Sequence, residues 1–554
     1  MKKLFLLITM FMLALSLLAS PAGWSELQRD LGIQAAQFKD SQEHQVLRAR
    51  DTRTYQVGDT ATFWKWNLSV MPPLWVQTPA TCRAVGDLCY VFVADSEWNV
   101  HMDQSDVDTV MFRLEESTVN DPTQGLIEMD IELFGPLPDE LDNDPRLIVF
   151  YSALGSFQGS AFDGYFSPYN QVTEAQAQQM NPPGHSNECE MIYMTCYPLD
   201  PVAPVRLSVL AHELQHLIHW GQDANEETWL NEGCSELAMV AYGVPDPITG
   251  FPSNPDNSLI AWNQTFADYV KVMLFFTYLQ EHYDATGLIR DLVADPANGL
   301  VSLNQQLAIH HPDLGFPELF TNWNIANMLD AETPGNGLYN YTQLDLPQFA
   351  TTNLNANPYP SNQAIQPYAA DYLAYTFSSE PFGRVMSSNI DLRLTALFFD
   401  PLGFCTELID LGAGNLIELF PNLGNHHRAV YVLSNPSSSQ AHYNIYQHVS
   451  SDDLLNPALT EPALACYPNP FQAESGLLRI QVRGQAQNPG SLRIYNSRGQ
   501  LVRRLDSPDS AGSDQMRLDW DGRDQSGSPV SGGIYLLRFD TGAKSAFQKL
   551  CLIR

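Results

Sequence analysis

"LAHELQHLIHW", residues 210–220, decides how the chain is read. It contains His-Glu-x-x-His and also an apolar stripe of Leu210, Leu214 and Leu217. On a helix, His212 and His216 are four positions apart and share one face. At about 100° per residue, Leu210 lies roughly opposite His212. The leucines can therefore pack on a core while both imidazoles point into a cleft. Glu213, beside His212, can reach a metal-polarised water without being a ligand itself. Two neutral imidazoles bind zinc, and a nearby carboxylate takes the proton of the polarised water.

Such a centre needs a third protein ligand and one open position. The expected ligand is Glu232 in "TWLNEGCSELA", residues 228–238. It follows His216 by sixteen positions (232 − 216), enough for one helix to end and a second to return. Gly221 is the expected stop, "DANEET" the turn, and Asp223 or Asn225 the cap of the second helix. Glu236 lies one turn beyond Glu232 and is placed to hold the outer nitrogen of a ligating histidine. His219 is the rival third ligand. The run from 212 to 219 covers about 10 Å of helix axis, whereas a Zn–N bond is about 2.1 Å. Packing or hydrogen bonding is therefore the expected role of His219. Cys234 points about 200° away from Glu232 and reads as a small buried residue.

Outward from these helices, composition sets the class. The chain has 554 residues, 44% hydrophobic and 17% charged, which suits several folded domains. Its net charge of −34 argues against polyanion partners, because phosphate recognition needs clustered Lys and Arg; no nucleic-acid partner is expected. The acidity leaves calcium open as a further ion beside one catalytic zinc. The start, "MKKLFLLITMFMLALSLLASPAG", pairs Lys2 and Lys3 with an apolar run and ends in small residues. It reads as a signal peptide over 1–22, with a secreted or cell-surface destination. No other run is long enough to span a membrane. Secretion permits disulfides, and Cys82–Cys89, Cys189–Cys196 and Cys466–Cys551 are the expected pairs, leaving Cys234 and Cys405.

The expected architecture is α+β, with all-β sandwich domains toward the C-terminus. After the signal come a polar, β-rich N-terminal region (23–125), a catalytic domain (126–350), a β-rich domain (362–450) and a compact all-β domain (464–554). Asn- and Pro-rich "TTNLNANPYPSNQ" and "SSDDLLNPALTEPA" are the linkers. "RLIVFYSAL", residues 146–154, is a continuous apolar run. It reads either as a buried interior strand or as an edge strand on which an extended substrate lies.

"HELQH" followed by "WLNEG" resembles the gluzincin metallopeptidases, whose zinc ligands are the two His of HExxH and the Glu of a downstream NE. The wider context, "HELQHLIHW", "NEETWLNEGCSELA", "SNECEMIYM", "VMLFFTYLQEHY" and "FTNWNIANMLD", is similar to the hyicolysin-like peptidases of family M30. This resemblance covers roughly residues 55–345. It implies a zincin-type domain and a secreted zinc endopeptidase acting on proteins or peptides. His212, His216 and Glu232 are then the ligands and Glu213 the general base. A loose similarity to the "YxKG" segment of M1 aminopeptidases makes Tyr269 the candidate oxyanion donor, with Val272 where that Gly would stand. Tyr278, His282 and Tyr283 compete for the role. M1 enzymes grip the substrate amine with a GxMEN-type segment, which "GLIEMD" (125–130) does not match. An aminopeptidase, or an adhesin with a degenerate peptidase site, are the alternatives.

The tail carries a separate resemblance. "CYPNPF", "LRIYNSRGQLVRRL", "WDGRDQSGSPVSGGIYLLRF" and "QKLCLIR" look like a FlgD-type immunoglobulin-like domain, and equally like a type A sorting domain of the type IX secretion system. The sorting reading implies secretion machinery as a partner.

Overall fold

The apolar runs at 89–94, 147–153 and 191–197 form neighbouring parallel strands, because both faces of each are covered. The computed structural model describes residues 21–553 apart from 40–52, 71–72, 140, 158–159, 264, 356–360, 378–383, 420–425, 448–462, 474–475, 484–490, 497, 507–514 and 541–544. The expected signal segment lies outside the described residues except for Pro21 and Ala22, which begin a helix. Nearly all of the 450–463 linker also lies outside them.

The first of two compact units runs up to Ala350 and takes in 365–371 and 434–440. Its sheet has the strands β1 (Thr60–Asn67), β2 (Leu74–Val85), β3 (Cys89–Ala94), β4 (Leu147–Ala153), β5 (Gly164–Phe166) and β6 (Met191–Tyr197). Their order is β1-β2-β3-β4-β6-β5. The "RLIVFYSAL" run is β4, which lies between β3 and β6. It is an interior strand, and the edge reading falls. The edge next to the helices is β5, antiparallel to β6. Since β3 pairs with β4, one sheet crosses the expected division at 125/126, which therefore does not separate two folding units.

Around the sheet stand α1 (Pro21–Ala36), α2 (Gln104–Glu115), α3 (Leu126–Phe134), α4 (Pro204–Gln222), α5 (Thr228–Tyr242) and α6 (Phe266–Tyr283). Helices α7 (Leu288–Ala294), α8 (Gly299–His310) and α9 (Phe316–Leu329) follow. None of the described helices is long and apolar enough to cross a membrane. α4 starts on Pro204, whose missing N–H costs nothing in the first turn. It runs through Gly221 and ends with Asp223 as C-cap, its N–H on His219 O at 2.7 Å. The cap of α5 is Glu227, not Asp223 or Asn225. The Glu227 carboxylate does not cap the helix but accepts from Trp229 Nε1 at 2.8 Å.

The second unit is all-β among its described elements. Strands between 352 and 447 form one seven-stranded sheet, whose long pair is Arg384–Phe399 with Cys405–Leu419. From 463 onward, a three-stranded and a five-stranded sheet enclose a core of alternate residues: Ile480, Leu492, Ile494, Trp520, Leu537 and Phe539 are buried. Ile534 and Leu536 alternate outward and are exposed.

All eight cysteines are free thiols, which corrects the expected pairs. Cys82 sits opposite Phe92 on β3, several residues from Cys89. Cys196 lies five residues along β6 from Met191 (196 − 191), about 17 Å at strand rise, while Cys189 sits in the bend before the strand. Cys466 and Cys551 lie on different sheets of the C-terminal domain, and both are free. A disulfide needs Cα atoms roughly 4.4–6.8 Å apart.

Candidate metal centre

α4 and α5 pack against each other, and their facing turns bring together most of the expected site. Leu210, Leu214 and Leu217 are fully buried on the core side of α4. His212 and His216 look the other way, with 13% and 18% of their side chains exposed. Their Nε2 atoms lie 3.1 Å apart. Glu232 Oε2, from α5, lies 3.5 Å from His212 Nε2 and 3.7 Å from His216 Nε2. Three ligands about 2.1 Å from a tetrahedral ion stand about 3.4 Å from one another. Two imidazole nitrogens and one carboxylate oxygen at these separations fit zinc in both donor type and spacing.

The outer nitrogens are also engaged. His212 Nδ1 lies 3.3 Å from Glu236 Oε1. His216 Nδ1 donates to Asn231 Oδ1 at 2.5 Å. With Nδ1 as donor, each ring is left with its Nε2 lone pair for the common point. The sequence reading misses Asn231, although a signal is present: it is the Asn of "NEG" and stands one turn before Ser235. Gly233 has a packing reason of its own. A Cβ there would meet the Phe276 ring of α6 at 2.2 Å.

Electrostatics follow from burial and from the nearby carboxylates. Burial pushes His212 down, but Glu232, Glu236 and Glu213 outweigh it and hold its pKa well above the usual histidine value. His216 is pushed down to about 4, mainly by burial. Glu213 is pushed up to about 7, mainly by burial and against the opposing pull of His212. Its Oε2 accepts from Phe166 N at 2.8 Å, so the carboxylate is held against the edge strand β5. Asp163, just before β5, pairs with Arg206 of α4 at 2.6 Å and ties strand and helix together.

The remaining candidates fall elsewhere. His219 is fully buried and lies outside the ligand group. Cys234 is buried, as expected for a packing residue. Tyr269 packs edge-on against Trp262, ring centroids 4.9 Å apart; its oxyanion role rests on the resemblance alone. Tyr278 donates to Leu338 O at 3.0 Å, His282 Nε2 meets Asn340 O at 2.9 Å, and Tyr283 Oη accepts from Asn322 at 3.4 Å. "GLIEMD" is the start of helix α3. For calcium, a second group brings ligand atoms of Asp139, Asp142 and Glu190 within 4.8 Å of one another. Among the described residues, nothing beyond this acidic grouping speaks for that ion.

Comparison with known proteins covers the tail. Residues 470–543 match the FlgD Ig-like domain family. Comparison with curated proteins gives no match. Among solved structures, PorZ of Porphyromonas gingivalis, described as an essential surface component of the type IX secretion system, is 20% identical over 22% of this chain and 15% of its own, with a TM-score of 0.14. Latent dimeric PorU of the same organism is 15% identical over 36% of this chain and 19% of its own, with a TM-score of 0.18. A Faecalibacterium prausnitzii β-glucuronidase is 8% identical over 33% and 36%, with a TM-score of 0.14. The chain thus spans well under half the length of these proteins, and likeness at this level carries no functional argument.

Proposed function

We propose that the chain is a secreted zinc metalloendopeptidase of the zincin type. The observation that carries the reading is the convergence of His212 Nε2, His216 Nε2 and Glu232 Oε2 beside Glu213. These three residues would hold zinc, which when bound would supply Lewis acidity toward a water and a scissile carbonyl. Glu213 stands outside the ligand group and is the proton acceptor, returning the proton to the leaving amine. Its pKa near neutrality suits both halves of that transfer. Glu236 and Asn231 keep the two imidazoles in the tautomer that leaves Nε2 for the metal. The end strand β5, against which Glu213 is held, is where an extended peptide would add to the sheet.

The test is a Glu213→Gln protein. It is expected to keep zinc and to lose peptide hydrolysis by about 10²–10⁴-fold. Hydrolysis of casein at the wild-type rate sinks the mechanism. A peptide blocked at both ends separates the endopeptidase from the aminopeptidase alternative, because only the former cuts it.

The FlgD Ig-like match supports the second part of the proposal. The C-terminal domain addresses the chain to type IX secretion machinery, and the signal segment to export.

A further inference from the structure

His219 is fully buried on the metal helix, three residues past His216, and the ligand set makes no use of it. Its Nδ1 has a partner, whereas its Nε2 is buried with no hydrogen-bond partner among the described residues. Gln215 Nε2 lies 3.1 Å from His219 Nδ1. Gln215 Oε1 accepts from Ser235 Oγ at 2.5 Å. Ser235 Oγ lies 3.0 Å from His216 Nδ1. Gln215, His219 and Ser235 are all 0% exposed. Gln215 and His219 are four apart on α4 and stack on one face, while Ser235 comes from α5.

We infer that Ser235, Gln215 and His219 form a buried relay that fixes the ring of His216 through its Nδ1, so that His219 is a positioning residue for the metal centre and not a ligand. The inference rests on the metal-centre reading above. The polarity of the chain follows from the Gln215 amide, whose Nε2 faces His219 and whose Oε1 faces Ser235. With Gln215 Nε2 turned toward His219, Nδ1 accepts and the ring proton sits on Nε2, which is buried without a partner among the described residues. Ser235 then spends its proton on Gln215 and presents lone pairs to His216 Nδ1–H, beside Asn231 Oδ1. Every donor in the run points away from the metal point, and His216 can hold its proton only on Nδ1. Were Gln215 turned over, its Nε2 would donate to Ser235, and the hydroxyl proton would be released toward Asn231 O at 3.2 Å or toward His216. A Ser235 proton aimed at His216 would favour the tautomer whose Nε2 cannot bind metal. Burial pushes His219 down to about 3, which keeps it in the neutral form this arrangement requires.

The experiment measures zinc affinity by chelator competition and the visible spectrum of the cobalt-substituted protein, on the full chain. The variants are Ser235→Ala, His219→Phe, His219→Asn and His219→Gln. Asn carries its carbonyl oxygen where His219 carries Nδ1, whereas Gln carries its polar group where His219 carries Nε2. His219→Phe, His219→Gln and Ser235→Ala are expected to weaken zinc binding about 10–100-fold and to shift the cobalt spectrum, as outer partners of ligating histidines do. His219→Asn is expected to retain wild-type affinity and spectrum. The Ser235→Ala/His219→Phe double variant is expected to bind no more weakly than the weaker single variant, because both cut one chain. Wild-type zinc affinity in His219→Phe overturns the relay, as do equal losses in His219→Asn and His219→Phe, or additive losses in the double variant. If His219→Phe does not fold, Ser235→Ala, a small change in mid-chain, decides by the same two readouts. A wild-type chain that takes up no zinc at all overturns the metal-centre reading itself, a result distinct from zinc-binding variants that match wild type.

Discussion

At the residue scale, the site is made by nitrogen choice as much as by ligand choice. Each imidazole has one nitrogen at the common point and the other on a partner, Glu236 for His212 and Asn231 for His216. Asn231→Ala is therefore expected to leave the fold intact and to weaken zinc binding about 10–100-fold, read by chelator competition. An unchanged affinity would mean that Ser235 alone holds the ring. His212, Glu213 and His216 were legible in the sequence because helical spacing puts them near one cleft, and Glu232 because its interval from His216 lets a second helix return. Asn231 and Ser235 were not, because a hydrogen bond to Nδ1 depends on how closely two helices approach. His219 illustrates the same point. Sequence geometry removed it as a ligand, and only the packing of α4 on α5 supplied its partners.

At the scale of elements, the turn between α4 and α5 sets the position of Glu232. Glu226 is 2% exposed there, and its Oε1 accepts from Gly299 N at 2.7 Å. Burial raises its pKa to about 8, against about 4.3 for an unfolded glutamate. The folded chain therefore keeps this proton longer than the unfolded chain. The corresponding stability is fully present below about pH 4 and is lost as pH rises through about 8. In a Glu226→Gln protein that loss disappears. Its melting temperature relative to wild type should rise between about pH 5 and pH 8.5, and a constant difference would show that Glu226 titrates normally. Gly233 sits where α5 and α6 approach closely. Gly233→Ala must push the Phe276 ring and is expected to cost about 1–3 kcal/mol in urea unfolding, with weaker zinc binding through displaced Glu232. The caps of this turn were not readable in advance. Asp223 and Asn225 have the right chemistry, but α4 runs one residue beyond Gly221 and moves both out of the capping position.

At the scale of the whole molecule, the catalytic proposal belongs to the first unit and the addressing proposal to the C-terminal domain. In a host with a type IX system, a chain lacking residues 464–554 is expected to stay in the cell while the full chain reaches the surface or medium, as read by immunoblot of the fractions. Equal export of both chains removes the sorting role. The sequence by itself determined the alternation of apolar and polar residues in the tail, the buried character of the 147–153 run and the single face shared by His212 and His216. These are local consequences of strand and helix periods. Only the tertiary structure decided that β4 is interior and β5 the edge, that one sheet joins the regions before and after residue 125, and that the cysteines are free thiols. Strand neighbours, thiol separations and the hydrogen bonds behind an imidazole depend on contacts between residues far apart in the chain, which no local period encodes.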